Sequence, residues 1–275
     1  NIFIGNPLLP TETFRERRKT IAYGGVELEL VAAPGETADQ LYVWFPKERV
    51  VFTGDNFYQS WPNLYAIRGT GYRDVREWIL SLDAMLKEKP AHVVPGHTRP
   101  IVGEARATEV LTNYRDAIKH VFEKTIEGIN QGMTPDELVH NVDLPDHLKD
   151  LDYLREYYGN IEWGIRAIFT GYLGWFDGNP TTLFSLPPAE EAKRMVRLAG
   201  GEAAFREAAA KALKEGDAQW CAELADQLLA LNPNDQAART LKAGALEQLA
   251  EKLITATGRN YYLTVAQELR KPTDR

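Results

Sequence analysis

The spacing of apolar residues mixes strand-like and helical runs up to Glu104 and is helical almost throughout beyond it, which restricts the chain to an α/β part followed by an all-helical part. Before Glu104, short runs alternate apolar and polar residues, as strands with one buried face do. Val26 to Ala32 reads as a strand, and Leu41 to Phe45 and Val50 to Thr53 read as two more, joined by a Pro-Lys-Glu-Arg turn. A helix is expected from about Tyr72 to Lys87, with Val75, Trp78, Ile79, Leu82 and Leu86 at helical spacing. His92-Val93-Val94 is then a short strand ending in Pro95-Gly96-His97.

Past Glu104 the period is helical almost throughout. A long helix should run from about Glu104 to Gly128, and Thr134-Pro135-Asp136-Glu137 opens another with a cap and an early proline. The aromatic-rich stretch from Tyr153 to Phe176 suits a buried helix or a subunit contact, and Pro187-Pro188 opens a third helical region. From about Glu202 to Ala250, small and apolar residues keep a helix-turn-helix rhythm broken at Gly216-Asp217 and at Leu231 to Asp235. That rhythm resembles one or two tetratricopeptide-type hairpins, or an antiparallel helix pair with no peptide groove. The expected division is residues 1–103 and 104–275.

The 275 residues suffice for two domains. A net charge of −7 argues against a nucleic-acid partner, which would require a basic patch. No apolar run approaches the ~20 residues of a membrane span. The single cysteine, Cys221, rules out an internal disulfide and reads as a buried, inert thiol on a helix. The opening Asn1-Ile2-Phe3-Ile4-Gly5 does not resemble a signal peptide, and the compartment is left open.

Three segments stand where a strand ends and a loop begins: Ala33-Pro34-Gly35-Glu36-Thr37, Thr53-Gly54-Asp55-Asn56 and Pro95-Gly96-His97-Thr98. Loops at one edge of a sheet can bring side chains to a common site. Two carboxylates and an imidazole are ligands that a divalent ion such as zinc accepts. Each glycine before the ligand is expected to let the backbone turn sharply. Taken singly, Gly54-Asp55 could be a plain turn, Glu36 a cap or surface residue and Gly96-His97 a loop.

In order and strand context, the three segments resemble the second half of the metallo-β-lactamase motif series. Glutamate at the Glu36 position resembles the alkylsulfatase branch, which hydrolyses sulfate esters such as long-chain alkyl sulfates. That branch usually has glutamate where this chain has Asp55. Asn63-Leu64-Tyr65-Ala66-Ile67-Arg68-Gly69 is similar to the branch's Asn-Leu-Tyr-Thr-Leu-Arg-Gly. Tyr158-Gly159 and Tyr172 to Pro180 resemble its helical dimerisation domain, and Tyr261 to Leu269 resembles the end of that domain.

The resemblance implies the second half of an αββα sandwich followed by a helical dimerisation domain, and a homodimer. It implies metal ligation by Glu36, Asp55 and His97, with two zinc ions per intact chain. Asn63 and Arg68 become catalytic candidates, Arg68 gripping sulfate oxygens with its planar fork. Arg166, Tyr172 and Trp175 become substrate-contact candidates, with Trp61 and Tyr65 either tail contacts or core. Metal-activated water would hydrolyse the ester at carbon or at sulfur.

Departures from the branch leave the substrate open. Trp163-Gly164 stands where the branch commonly has His-Asn, and His97-Thr98-Arg99-Pro100 replaces its His-Trp-Pro. These changes keep two alternatives in play: a metallo-β-lactamase-fold hydrolase of another ester, lactone or phosphate, and a non-catalytic helical interaction protein. The superfamily's His-X-His-X-Asp-His signature is absent, because no two of His92, His97, His120, His140 and His147 lie two residues apart. Apart from His97, these histidines read as structural or surface residues. The expectation is that an amino-terminal half carrying the first metal motif lies outside these residues, so that this stretch alone is inactive, and that the lipid-carrier-like domain found in some relatives does not follow before Arg275.

Overall fold

The computed structural model describes residues 8–272; the opening Asn1 to Gly5 stretch lies outside the described residues. The chain divides into two compact units. The first takes in the chain up to Leu64, Tyr72–Lys124 and Val142–Arg155; the second takes in Tyr65–Gly71, Thr125–Asn141 and the chain from Glu156 onwards.

The first unit is built on a sheet of β1 (Arg18–Tyr23), β2 (Val26–Ala32), β3 (Leu41–Phe45), β4 (Val50–Gly54), β5 (His92–Pro95) and β6 (Ile101–Val102), in that spatial order. Neighbours are antiparallel except β4 and β5, which run parallel and are connected through α1 (Val75–Lys87). Pairing of Val31 with Tyr42, Trp44 with Val51 and Val51 with Val93 puts these five residues on one face, and all are buried. On the other face Leu28, Leu30, Val43, Phe45, Val50 and Val94 are half-buried and Phe52 is exposed, with the Phe45 and Phe52 rings 5.4 Å apart.

Helix α1 starts at Asp74, whose carboxylate accepts the N–H groups of Arg76 and Glu77 at 3.0 and 3.2 Å. It buries Val75, Trp78, Ile79, Leu82 and Met85, residues that recur on one side of a 3.6-residue period. In α2 (Glu104–Asn130) Ala107, Val110, Leu111, Tyr114, Ala117, Ile118 and Val121 repeat that spacing and are buried. The Tyr114 ring meets Phe57 edge-on at 4.9 Å.

In the second unit α3 (Pro135–Asn141) begins with a reciprocal capping box. Thr134 Oγ1 accepts the Glu137 N–H, and the Glu137 carboxylate accepts the Thr134 N–H at 2.8 Å. The short α4 (Asp146–Lys149) belongs to the first unit, and α5 (Ile161–Leu173) to the second. A single helix over Tyr153 to Phe176 is not formed. A 3-10 turn at Asp152–Leu154 precedes α5, which starts at the Asn160 cap and ends at Gly174 with φ 80°.

Five helices follow in sequence: α6 (Pro188–Leu198), α7 (Glu202–Glu215), α8 (Ala218–Leu231), α9 (Gln236–Lys252) and α10 (Ala256–Arg270), with α8 packed against α6, α7 and α9, and α9 against α10. Phe205, Ala209, Ala222, Leu228, Ala238 and Ala245 form the shared core of α7 to α9. Small residues there let the helix axes approach closely. Cys221 lies in this core, its thiol pKa raised by burial, as an inert thiol should be. Among the described residues no helix is long and apolar enough to cross a membrane.

Asp235 both caps α9, accepting the N–H groups of Ala237 and Ala238, and pairs with Arg206 of α7. Burial opposes the carboxylate charge, but Arg206 and the two amides outweigh it and hold the pKa below the ordinary 3.8. A lowered folded-state pKa gives stability that is present above the unfolded value and lost as pH falls through the folded one. Asp235→Asn should therefore be less stable than the parent at neutral pH and should flatten the acid limb below about pH 4, read by thermal unfolding followed by circular dichroism.

Candidate metal-ligand site

The site lies where β2, β4 and β5 end, and hydrogen bonds between the three following loops fix its shape. Asn56 has no solvent exposure. Its Oδ1 accepts the Glu36 N–H at 3.0 Å, and its Nδ2 donates to the Ala33 carbonyl at 2.6 Å. The main-chain carbonyl of Asn56 accepts the Trp78 indole N–H at 2.9 Å, and Ser81 Oγ donates to the Pro34 carbonyl at 2.8 Å. Helix α1 thus holds the Glu36 and Asp55 loops together from one side.

The third loop is tied to the second. The Gly96 N–H donates to the Gly54 carbonyl at 3.0 Å, the Gln59 N–H donates to Thr98 Oγ1 at 3.2 Å, and Gln59 Nε2 donates to the Arg99 carbonyl at 2.8 Å. Thr98 sits at φ 73°. Such a conformation for a β-branched residue costs about 1–3 kcal/mol and persists only where neighbours impose it.

The three glycines before the candidate ligands serve two purposes, and only Gly54, at φ 55°, supplies a left-handed turn. Gly35 and Gly96 supply room. A Cβ on Gly35 would lie 2.3 Å from Asn56 Oδ1, and one on Gly96 would lie 2.5 Å from Asp55 Oδ1.

His97 Nε2 lies 3.5 Å from Asp55 Oδ1, with both side chains open to solvent. Two ligands of one zinc, each about 2.0–2.1 Å from it at a tetrahedral angle, stand about 3.4 Å apart. The pair therefore fits a shared ion. Glu36 is placed differently: its Oε1 accepts from Arg73 Nη1 at 2.7 Å, with both side chains largely buried. Among the described residues no three His, Cys, Asp or Glu side chains make a group that could hold a metal. Two of the candidate ligands, Asp55 and His97, thus lie together, and the third, Glu36, is engaged by Arg73.

The remaining candidates divide between the units. Asn63 is buried, its N–H donating to the Tyr58 hydroxyl at 2.7 Å and its carbonyl accepting from Arg73 Nη1. Trp61 is fully buried, as a core residue is. In the second unit Arg68 is exposed, and Arg166 pairs with Asp136 at 2.7 Å and with Glu162 at 3.0 Å. Tyr172 and Trp175 are exposed, the Trp175 ring meeting Phe176 edge-on at 5.8 Å.

Sequence reasoning missed Arg73 as a partner of Glu36 and Asn56 as the clamp between loops. Arg73 immediately precedes the α1 cap, and nothing in local spacing points from it to Glu36. Asn56 follows Asp55 directly, and an asparagine in a loop reads equally well as a turn residue.

Residues 134–272 match the alkyl sulfatase dimerisation family, and residues 4–97 match the metallo-beta-lactamase superfamily. The chain is 38% identical over 264 residues to a linear primary-alkylsulfatase of Pseudomonas sp., covering 95% of this chain and 50% of that protein. It is 33% identical over 268 residues to an alkyl/aryl-sulfatase of Saccharomyces cerevisiae, covering 96% and 42%. A solved stereoselective inverting sec-alkylsulfatase from Pseudomonas sp. superposes with a TM-score of 0.91 at 32% identity, over 97% of this chain and 43% of that one. The chain spans half or less of the length of these relatives.

The clamp can be tested without reference to activity. Asn56→Asp replaces the donor to the Ala33 carbonyl with an oxygen and should destabilise the protein by about 1–3 kcal/mol. Urea unfolding measures this, and an unchanged midpoint and slope would show that the loops are held by other means.

Proposed function

The chain belongs to the alkylsulfatase family, its first part the second half of a metallo-β-lactamase-type αββα sandwich, and from that premise we propose that it is the ligand-bearing portion of a metal-dependent sulfate-ester hydrolase. The observation that carries the reading is the Asp55–His97 pair, set at the spacing of two ligands on one ion at the mouths of adjacent strands.

Asp55 and His97 would hold a zinc ion, and Glu36 would join them from the neighbouring loop. In a two-zinc centre Asp55 would serve both ions, with ligands in addition to these three completing each coordination shell. When bound, zinc supplies a hydrolytic water with its pKa brought near neutrality. The chain's own residues do the rest. Rigid loops keep Asp55 and His97 in register, which limits the reorganisation that catalysis has to overcome.

Arg68 is proposed to hold the sulfate group, since a planar guanidinium offers paired donors to a tetrahedral oxyanion. Asn63 contributes to the same segment. Arg166, Tyr172 and Trp175 are proposed substrate contacts. Arg166 would share its donors between the sulfate and the carboxylates of Asp136 and Glu162. A hollow of about 500 Å³ lined by Gln59, Thr98, Arg99, Ile101 and Arg106 opens at the residue after His97 and carries two cationic side chains, a charge that suits an anionic ester. The helical part is proposed to form a homodimer, for which sedimentation at a dimer's mass is the check.

Substrate class is tested by turnover of dodecyl sulfate against an aryl sulfate, a phosphate monoester and a lactone, before and after chelation and zinc re-addition. The intact enzyme should prefer the alkyl sulfate, fall at least about 100-fold on chelation and recover with zinc. Preference for the phosphate or lactone would replace the sulfatase reading with another hydrolase of the same fold. Undiminished turnover after chelation would refute the metal role.

A further inference from the structure

Arg73 stands out as a buried guanidinium to which the reaction assigns no part. Its side chain is 9% exposed, and that of its partner Glu36 is 15% exposed. Nη1 donates both to Glu36 Oε1 at 2.7 Å and to the main-chain carbonyl of Asn63. Nε is buried and has no hydrogen-bond acceptor among the described residues.

These features do not suit an arginine kept for stability alone. Desolvating an ion pair costs several kcal/mol per ion, and apolar residues of similar volume often serve a core as well or better. A buried donor left without an acceptor adds a further cost. What the pair does achieve is positional. Asp74, the next residue, caps α1, and α1 is docked through Trp78 and Ser81 to the Asp55 and Glu36 loops. The guanidinium is therefore held from the rigid helix start and grips one oxygen of the Glu36 carboxylate.

We propose that Arg73 is a positioning residue that fixes the Glu36 carboxylate for metal coordination, limiting Glu36 to one oxygen toward the ion. This rests on the reading of Glu36 as a ligand. Partners of this kind, which orient a ligand without touching the metal, typically contribute 10–100-fold to metal affinity. Arg73 also ties Glu36 to Asn63, joining the ligand loop to the segment that leads to Arg68.

The test is zinc affinity of the intact enzyme, read by competition with a chromophoric chelator. It is measured for the parent, Arg73→Lys, Arg73→Met, Glu36→Gln and the double variant Glu36→Gln/Arg73→Met. Arg73→Met should weaken zinc binding about tenfold or more, with Arg73→Lys intermediate. Because Arg73 acts through Glu36, adding Arg73→Met to Glu36→Gln should weaken binding no further.

A thermal midpoint that falls while zinc affinity stays within twofold of the parent would leave Arg73 a structural residue and overturn the proposal. Additive losses in the double variant, or tighter binding without Arg73, would overturn it too. If Arg73→Met does not fold, Arg73→Lys and the charge-neutral double variant decide the matter. Unchanged affinity in Glu36→Gln would remove Glu36 from the ligand set and the proposal with it. Loss in Glu36→Gln with none in either Arg73 variant would refute the proposal alone.

Discussion

With no exposure to solvent, the Asn56 side chain joins loops that lie 20 residues apart, accepting the Glu36 N–H and donating to the Ala33 carbonyl. Two of the three candidate-ligand loops meet through this join. Asp55 precedes Asn56 in the chain, so the amide that orders the Glu36 loop also fixes where the Asp55 carboxylate begins. Trp78 then anchors the same residue's carbonyl to α1, and the Gly54 carbonyl receives the Gly96 N–H that brings His97 alongside. An asparagine is suited to this position because it carries a donor and an acceptor on one planar group.

Much of the framework was legible in the sequence. Strands β2 and β3 occupy Val26–Ala32 and Leu41–Phe45 as expected. In β2, however, the alternating apolar residues Leu28 and Leu30 are only half-buried and Val26 is exposed, whereas Val31, on the face of Glu27 and Glu29, is the residue that is buried. The start of α2 at Glu104 and the break between α8 and α9 at Asn232 to Asp235 also follow from caps and spacing. Strand β1 was not legible. Arg18-Lys19-Thr20-Ile21-Ala22-Tyr23 is an edge strand whose residues are mostly exposed, so its pattern carries no burial signal, and only pairing with β2 defines it. Edge strands commonly carry charges of this kind as protection against unwanted pairing.

The site was legible in part, for a related reason. The loops bearing Glu36, Asp55 and His97 were marked by glycines and by strand ends. The purpose of two of those glycines was not, since room for Asn56 Oδ1 and Asp55 Oδ1 is a long-range property. The same holds for Arg73, which meets Glu36 through space, and for Arg166, whose acid partner Asp136 comes from another helix. Local pattern reports what a residue is; which residue it meets depends on how the elements fold back. The family relationship supplies the chemistry proposed for these parts, and the 3.5 Å approach of His97 to Asp55 is the geometry on which that proposal builds.

The most direct test of the account is an anomalous-scattering map at the zinc edge from crystals of the intact enzyme grown with zinc. The account predicts a peak within coordination distance, about 2.0–2.2 Å, of both Asp55 and His97, with the Glu36 carboxylate turned toward the same centre. A zinc peak elsewhere, or none at this pair while the enzyme still hydrolyses alkyl sulfates, would contradict it.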